Sequence, residues 1–521
     1  MLDFLNPNVL VLALIGLASY ALVSYRRSPW RKLPPGPRGL PLLGNIFQLG
    51  EKQWLTFTEL QKSFGNIIYL NAAGQPIIVL NSRQVAADLL DRRATIYSDR
   101  PKNIVGSEIL SGGLALGLGR YTDTWRRMRR AGNEGFSKTL VPNYHRTQFT
   151  EALYLASGIL SRPYDLEAHF KRSAASVTMA IVYDTPPITS EHDPTVEAVN
   201  EQAAGVTRAL RPGAHLVEFF PWMIHLPRSV AKWKRDAEDA FEKHSLMFEG
   251  LFKTVGNRLA SGDTRPSFAA NLIENMNKFN LSEREGAWLA GSMYAAGSDT
   301  MSSIMSWWTL AMVAYPSVLK RAQTEIDSIV GRSRLPSFSD LPHLPYIRAM
   351  VKESLRWSTP FPVGAPHRAM QDDWYSGYFI PAGSMIIPNC YRMNRDVDTY
   401  GVDADEFNPS RYLDERTGEL LLSGEMWPDT KEEGHVTYGF GRRICIGRHA
   451  VNNQLFMNMA LMVWMMDIER PVVDGKQVEL DLEGCEPDGI LIRPVHFEAK
   501  ITPRFPEVKA IVEQELELVS R

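Results

Sequence analysis

A large globular body threaded by a long buried helix, carried on an N-terminal membrane anchor, is the architecture this 521-residue sequence predicts. Three observations carry it. Hydrophobic residues at 44% and charged residues at 22% describe a chain that buries a large core instead of staying disordered. An uncharged apolar run stands at Val9 to Tyr25. A second long stretch, Glu283 to Tyr315, has no proline and, after Glu285, only Asp299 as a charge. The formal net charge of −2 argues against a nucleic-acid role carried by bulk charge. Cys390, Cys445 and Cys485 are too few and too scattered for a disulfide framework or a cysteine zinc site, which fits a reducing compartment.

The N-terminal run is about 17 residues long, the lower limit for a helix that spans a bilayer. Arg26, Arg27, Arg31 and Lys32 follow it, whereas only Asp3 and the amino terminus precede it, so the positive-inside rule leaves the body cytosolic. A cleaved signal peptide is the competing reading, but such peptides carry their positive charge before the apolar run. The prolines of Leu33 to Pro41 then favour an extended, semi-rigid spacer. Asn280-Leu281-Ser282 matches the N-glycosylation pattern that a lumenal body would expose. The same Ser282, with Glu285 three residues on, reads as the capping box of the helix that follows.

That helix is roughly 50 Å long if it runs to Tyr315, enough for a second membrane span. Ser298, Asp299, Thr300, Ser302, Ser303 and Ser306 cluster in its middle, where lipid would penalise them, so a buried helix through a soluble core is expected. Gly297 costs about 1 kcal/mol relative to alanine there and marks a close approach by something. The stretch Ala295 to Thr300 forms either a local groove with a proton donor on its wall or a Gly-Ser kink beside a solvated aspartate.

Charged constellations follow. Glu353 and Arg356 are neighbours on one helix face, either a surface ion pair or, with Arg411, a buried glutamate shared by two guanidinium forks. Trp125 and Arg129 lie four apart, aligned to donate together to one anionic group, while Arg126, Arg127 and Arg130 form a basic face. Cys445 sits among Gly439, Gly441 and Gly447, just before an apolar segment that starts at Arg448 and reads as a helix. A helix start favours a thiolate, which serves as a metal ligand or as a nucleophile with His435 or His449 as base. A buried structural cysteine is the plain alternative. One thiolate suffices as the protein's only metal ligand when the metal arrives in a macrocycle, as iron does in haem.

In this order and spacing the pieces resemble the cytochrome P450 family of haem-thiolate monooxygenases, from Leu33 to the last strands near Phe497. The family's cysteine-loop pattern is met by Gly441, Arg443, Cys445 and Gly447, with Tyr438 in place of the usual phenylalanine. Its oxygen-activation motif matches Ala296, Gly297, Asp299 and Thr300, and its E-x-x-R matches Glu353 and Arg356. Arg411 completes the associated charge cluster, with Ser410 where a glutamate is common. The resemblance implies a predominantly α fold with a smaller β region: 1–25 as anchor, 26–44 as hinge and 45–521 as catalytic domain. It implies haem b with Cys445 as axial iron ligand, and Trp125, Arg129, Arg443 and His367 on the haem propionates. Asp299 and Thr300 would relay protons to dioxygen, for which Ala296 and Gly297 leave room. With no Rossmann or flavin fingerprint in the chain, electrons would come from an NADPH-cytochrome P450 reductase, docked on Arg126, Arg127 and Arg130, at the endoplasmic reticulum membrane.

By family position, Ile104, Phe219, Phe220, Val363 and Ile490 make the substrate pocket apolar, which suits a terpenoid or another secondary metabolite of the fungal microsomal type. A haem-thiolate isomerase or dehydratase and a non-catalytic haem-binding protein are the alternatives. Asp299 and Thr300 favour the monooxygenase, since a route without dioxygen gives them no task.

Overall fold

The computed structural model describes residues 26–520 except 191–192, 212, 422–430 and 489–490, together with Gly16, Ser19 and Val23. The expected anchor, Val9 to Tyr25, therefore lies almost wholly outside the described residues, and so does Ile490. Among the described residues no helix is long and apolar enough to cross a membrane. The protein is predominantly helical with a smaller β component, in two compact units.

The first unit comprises residues 1–101 and 365–389. Here the largely apolar runs of Ile67–Ala72 and Gln75–Leu80 close into an antiparallel hairpin. Its two-residue turn places Ala73 (φ 48°) and Gly74 (φ 93°) in the left-handed region that tight hairpins require. Strand Met385–Pro388 adds in parallel to Gln75–Leu80 and pairs on its other side with His367–Arg368. Helix α1 (Gln53–Phe64) is held beside it where the Asn389 side-chain amide donates to the Trp54 carbonyl (3.2 Å) and to Asn81 Oδ1 (2.8 Å).

The second unit, residues 102–364 and 390–521, contains the long helices. In chain order they are α2 (Asp123–Gly135), α3 (His145–Ser161), α4 (Leu166–Tyr183), α5 (Pro194–Leu210), α6 (Lys232–Ala260), α7 (Phe268–Phe279) and α8 (Glu283–Ala314). After these come α9 (Pro316–Ile329), α10 (Pro345–Ser358), α11 (Arg448–Met465) and α12 (Val508–Ser520). Helix α8 begins with the expected capping box: Ser282 Oγ accepts from the Glu285 N–H (3.2 Å), and Glu285 Oε2 accepts from the Ser282 N–H (2.8 Å). It ends where Pro316 starts α9.

Helix α8 is buried on nearly every side, against α2, α4, α6, α7 and α10. The serines in its middle survive burial because their hydroxyls return to backbone carbonyls, Ser302 to Asp299 (2.8 Å) and Ser306 to Ser302 (3.1 Å). Helix α12 was not anticipated from the sequence. Val508 and Val512 are fully buried, fastening the last turns onto α3.

Candidate functional site

The cysteine loop is a tight hairpin feeding α11. Gly439 (φ 76°) and Gly441 (φ 57°) occupy left-handed conformations that a side chain would strain. The N–H of Cys445 donates back to the Tyr438 carbonyl (2.8 Å) and that of Arg443 to Phe440 (3.1 Å). Gly447 caps α11, so the partly buried Cys445 stands just ahead of the helix start. The helix start alone does not hold the sulfur anionic, because burial pushes the thiol up. The Arg129 guanidinium, the Gly447 N–H and Arg448 pull it back toward the thiolate.

Arg129 comes from α2, which lies against the loop because Gly132 has no side chain: a Cβ there would meet Ile446 Cδ1 at 2.9 Å. Its guanidinium donates to the Ile444 carbonyl, and its buried Nε has no hydrogen-bond partner. Burial lowers it to about 10, and the charge that pulls it up is Cys445. Among protein groups, Trp125 and Arg129 take different acceptors. The Trp125 indole donates to the Leu116 carbonyl (2.9 Å), and its ring lies under the Arg443 guanidinium at 3.8 Å. Arg443 itself is buried and donates to Gly119 (2.8 Å).

These residues fit a flat anionic cofactor that carries its own metal. Two buried guanidiniums, one with an orphaned Nε, and a single sulfur under cationic influence are a donor set for a metal macrocycle bearing carboxylates. Among the described residues no cluster of three or more His, Cys, Asp or Glu side chains offers an all-protein metal cage. The nucleophile reading loses ground at His435, which is fully buried, held well below its ordinary value by burial, and accepts from the Thr437 N–H (3.3 Å). His367 belongs to the first unit, where its Nδ1 meets the Tyr97 carbonyl at 2.8 Å.

Glu353, Arg356 and Arg411 come together as a buried cluster. Glu353 accepts from Arg356 Nε (2.6 Å) and Nη2 (2.7 Å) in a bidentate fork, and from Arg411 Nε (3.1 Å). Neither Glu353 nor Arg356 is exposed to solvent. Arg356 is further held by the carbonyls of Asn394, Ala404 and Glu406, and Arg411 by the Asp403 carboxylate (3.0 Å). Asp403 is the member sequence reasoning missed; its only signal is an acid eight positions before Arg411.

In the middle of α8, Ala296 is exposed although the turns on either side are buried, so the helix faces a space there that protein does not fill. Thr300 Oγ1 donates to the Ala296 carbonyl (3.0 Å), and Asp299 is about half exposed with Arg493 Nη2 3.8 Å from its Oδ1. Gly297 serves a different purpose from the one expected. Its missing side chain faces α4, where a Cβ would meet Thr178 Cγ2 and Oγ1 at 2.8 Å, so it makes room for a helix instead of dioxygen.

The predicted basic face is thinner than its sequence, since Arg127 turns inward to Glu285 (3.0 Å) and leaves Arg126 and Arg130 exposed. Of the proposed pocket residues, Ile104 is buried in a small apolar cluster around Val206, Ala209 and Val217. Phe219 (51%) and Phe220 (52%) are instead exposed, because the connection from α5 to α6 turns Val217 inward in their place.

A family model described as cytochrome P450 matches residues 34–487. A cytochrome P450 monooxygenase of Armillaria gallica is 57% identical over 510 residues, covering 98% of this chain and 97% of that protein. One of Postia placenta is 46% identical over 481 residues, covering 92% and 90%. One of Amanita muscaria is 39% identical over 531 residues, covering 94% of each.

Proposed function

The chain belongs to the cytochrome P450 family and is a haem-thiolate monooxygenase, and from that premise we propose that it oxidises an apolar small molecule of secondary metabolism, of the terpenoid kind. Dioxygen and electrons from an NADPH-cytochrome P450 reductase complete the reaction. The haem supplies the oxygen-activating iron, with a cysteine thiolate whose electron donation favours O–O cleavage. The protein's own part is to hold that sulfur, neutralise the cofactor's carboxylates, shape an apolar space and deliver protons.

The observation that carries the assignment of Cys445 is its setting. It is a lone sulfur between a helix start and the buried Arg129 guanidinium, which favours the thiolate and is itself favoured by it. Arg129 and Arg443 are the residues for the propionates. Thr300, on the exposed stripe of α8 beside Ala296, is the hydroxyl through which a proton passes, and Asp299 supplies it from the solvent side. The substrate's apolar character is supported by Ala295, Ala296 and Val363, none of them fully covered by protein.

The uncharged run Val9 to Tyr25 with its four following cations supports a single-pass anchor in the endoplasmic reticulum and a cytosolic body. Exposed Arg126, Arg130 and Arg442 then face an acidic reductase, speeding association more than tightening it. The reduced carbon-monoxide spectrum of the purified protein tests the ligand. Wild type is expected to show the strong thiolate red shift and Cys445→His to lose it; a wild type without it would overturn the assignment.

A further inference from the structure

The connection from α5 to α6 turns Val217 into an apolar cluster with Ile104, Val105 and Ala209, while Leu216, Phe219 and Phe220 stay exposed. Glu218, next to Val217, also reaches toward that cluster. Its Oε2 accepts from the Ile104 N–H and its Oε1 from the Val105 N–H, both at 2.9 Å, across 114 and 113 positions of chain. These are the first donors of the helical turn Ile104–Ile109. Its next two, the N–H groups of Gly106 and Ser107, are taken locally by Asn103 Oδ1 (2.6 and 3.3 Å). Glu218 supplies the half of the cap that the neighbouring sequence does not, and as a carboxylate it makes the stronger, charge-assisted kind of hydrogen bond.

From this turn the chain runs toward the cofactor loop. The Leu116 N–H donates to Ser292 Oγ (3.3 Å), one turn before Ala296 on α8, and the Leu116 carbonyl accepts from the Trp125 indole (2.9 Å). The Gly119 carbonyl accepts from Arg443 (2.8 Å). The stretch 104–119 therefore leads from Glu218 to the edge of the space that α8 faces at Ala296. Its inner end is tied to α8 and to the cofactor-loop arginine. Its outer end is tied to the α5–α6 layer by Glu218, by the apolar cluster, and by a long bond from Asn103 Nδ2 to the Ala209 carbonyl (3.5 Å). Apolar contact is non-directional and lets packed surfaces slide, so the carboxylate is the restraint that fixes a position.

We propose that Glu218 is a positioning residue for substrate selection: it fixes the outer end of 104–119 and with it the breadth of the apolar space beside Ala296. Glu218 touches neither substrate nor cofactor; it acts through the backbone of Ile104 and Val105. The role rests on the monooxygenase reading above. It favours slim apolar substrates, which pack against a fixed wall, over broad ones, which need that wall to move.

The test uses the full-length, haem-loaded protein and three iron-ligating azoles, imidazole, 1-dodecylimidazole and clotrimazole, whose binding is read from the absorption spectrum. Glu218→Ala is expected to keep the thiolate carbon-monoxide spectrum. It should bind imidazole, too small to reach the wall, within about twofold of wild type. Its affinity for the slim 1-dodecylimidazole relative to the broad clotrimazole should fall roughly three- to tenfold, the scale on which small changes in an apolar pocket discriminate. Glu218→Gln keeps one acceptor for the two donors and should lie between. A ratio that moves less than about twofold, or three azoles weakened alike as general loosening would do, would overturn the proposal.

A second measurement needs no azole. Amide hydrogen exchange in the peptide spanning 103–110 should speed up about tenfold at Ile104 and Val105 in Glu218→Ala, the worth of a charge-assisted hydrogen bond, with α11 unchanged. Unchanged exchange would overturn the proposal as well. Faster exchange with an unchanged azole ratio would show a clamp that does not shape the substrate space, and the selective role would fall. A wild type lacking the thiolate spectrum would sink the monooxygenase reading, with the exchange result still deciding on the clamp.

Discussion

Substituting Gly297 by alanine sets two opposing effects against each other. Alanine in place of a mid-helix glycine gains about 1 kcal/mol in helix propensity. The new Cβ would lie 2.8 Å from both Cγ2 and Oγ1 of Thr178 on α4, closer than packed atoms approach. Thr178 has little freedom to yield, being 7% exposed with its hydroxyl bonded to the Ala174 carbonyl at 2.7 Å. Overpacking of this kind costs about 1–3 kcal/mol, so Gly297→Ala should be neutral to destabilising by roughly 2 kcal/mol. Removing the two offending atoms with Thr178→Ala leaves Cβ of residue 178 at 3.4 Å, an ordinary contact. The double variant should then recover the propensity gain, giving a favourable interaction of about 1–3 kcal/mol between the sites. Urea unfolding of wild type, both single variants and the double variant measures it. A Gly297→Ala protein more stable by the full propensity term, or two effects that simply add, would refute the close approach of α4.

Glu353→Gln leaves the buried Arg356 without its counter-charge and should cost about 3–5 kcal/mol, seen as loss of folded protein and of haem retention; Arg126→Ala, at an exposed site, should leave stability within about 0.5 kcal/mol. Thr300→Ala should bind haem and oxidise NADPH with reductase while diverting electrons to hydrogen peroxide, and unchanged product yield per NADPH would remove the hydroxyl from the relay. Glu151 on α3 is buried beside Ser176, and burial raises it to about 7. An acid raised on folding favours the folded state when protonated, so its contribution is complete at pH 4 and is lost as pH climbs to about 7. Glu151→Gln should therefore gain on wild type by about 3 kcal/mol at pH 8 and little at pH 4, read from urea midpoints across that range.

The cysteine loop was legible because its chemistry is local: the glycines that turn the backbone, the sulfur and the helix that follows are contiguous. The capping box of α8 was legible for the same reason, since both partners lie within four residues. Helix α8 could be read as part of a soluble core because lipid would penalise the polar cluster around Asp299, and the hydroxyls of Ser302 and Ser306 return to carbonyls of their own helix. Spacing left open which protein carbonyl each side chain takes. Trp125 and Arg129 are aligned on α2 as expected, yet each takes a different loop carbonyl.

By itself, then, the sequence determined the turn of the cysteine loop, the helix that carries Asp299 and Thr300, and the Glu353–Arg356 fork, all set by neighbours a few residues apart. Tertiary structure alone decided that Gly297 serves α4, that Arg127 is taken up by Glu285, that Asp403 closes the charge cluster, and that Arg493 stands opposite Asp299 across 194 positions of chain. The reason is physical. A hydrogen bond within a turn is fixed by backbone geometry, which the local sequence dictates. An ion pair between distant residues exists only once packing has chosen which of many possible charges it brings within 4 Å.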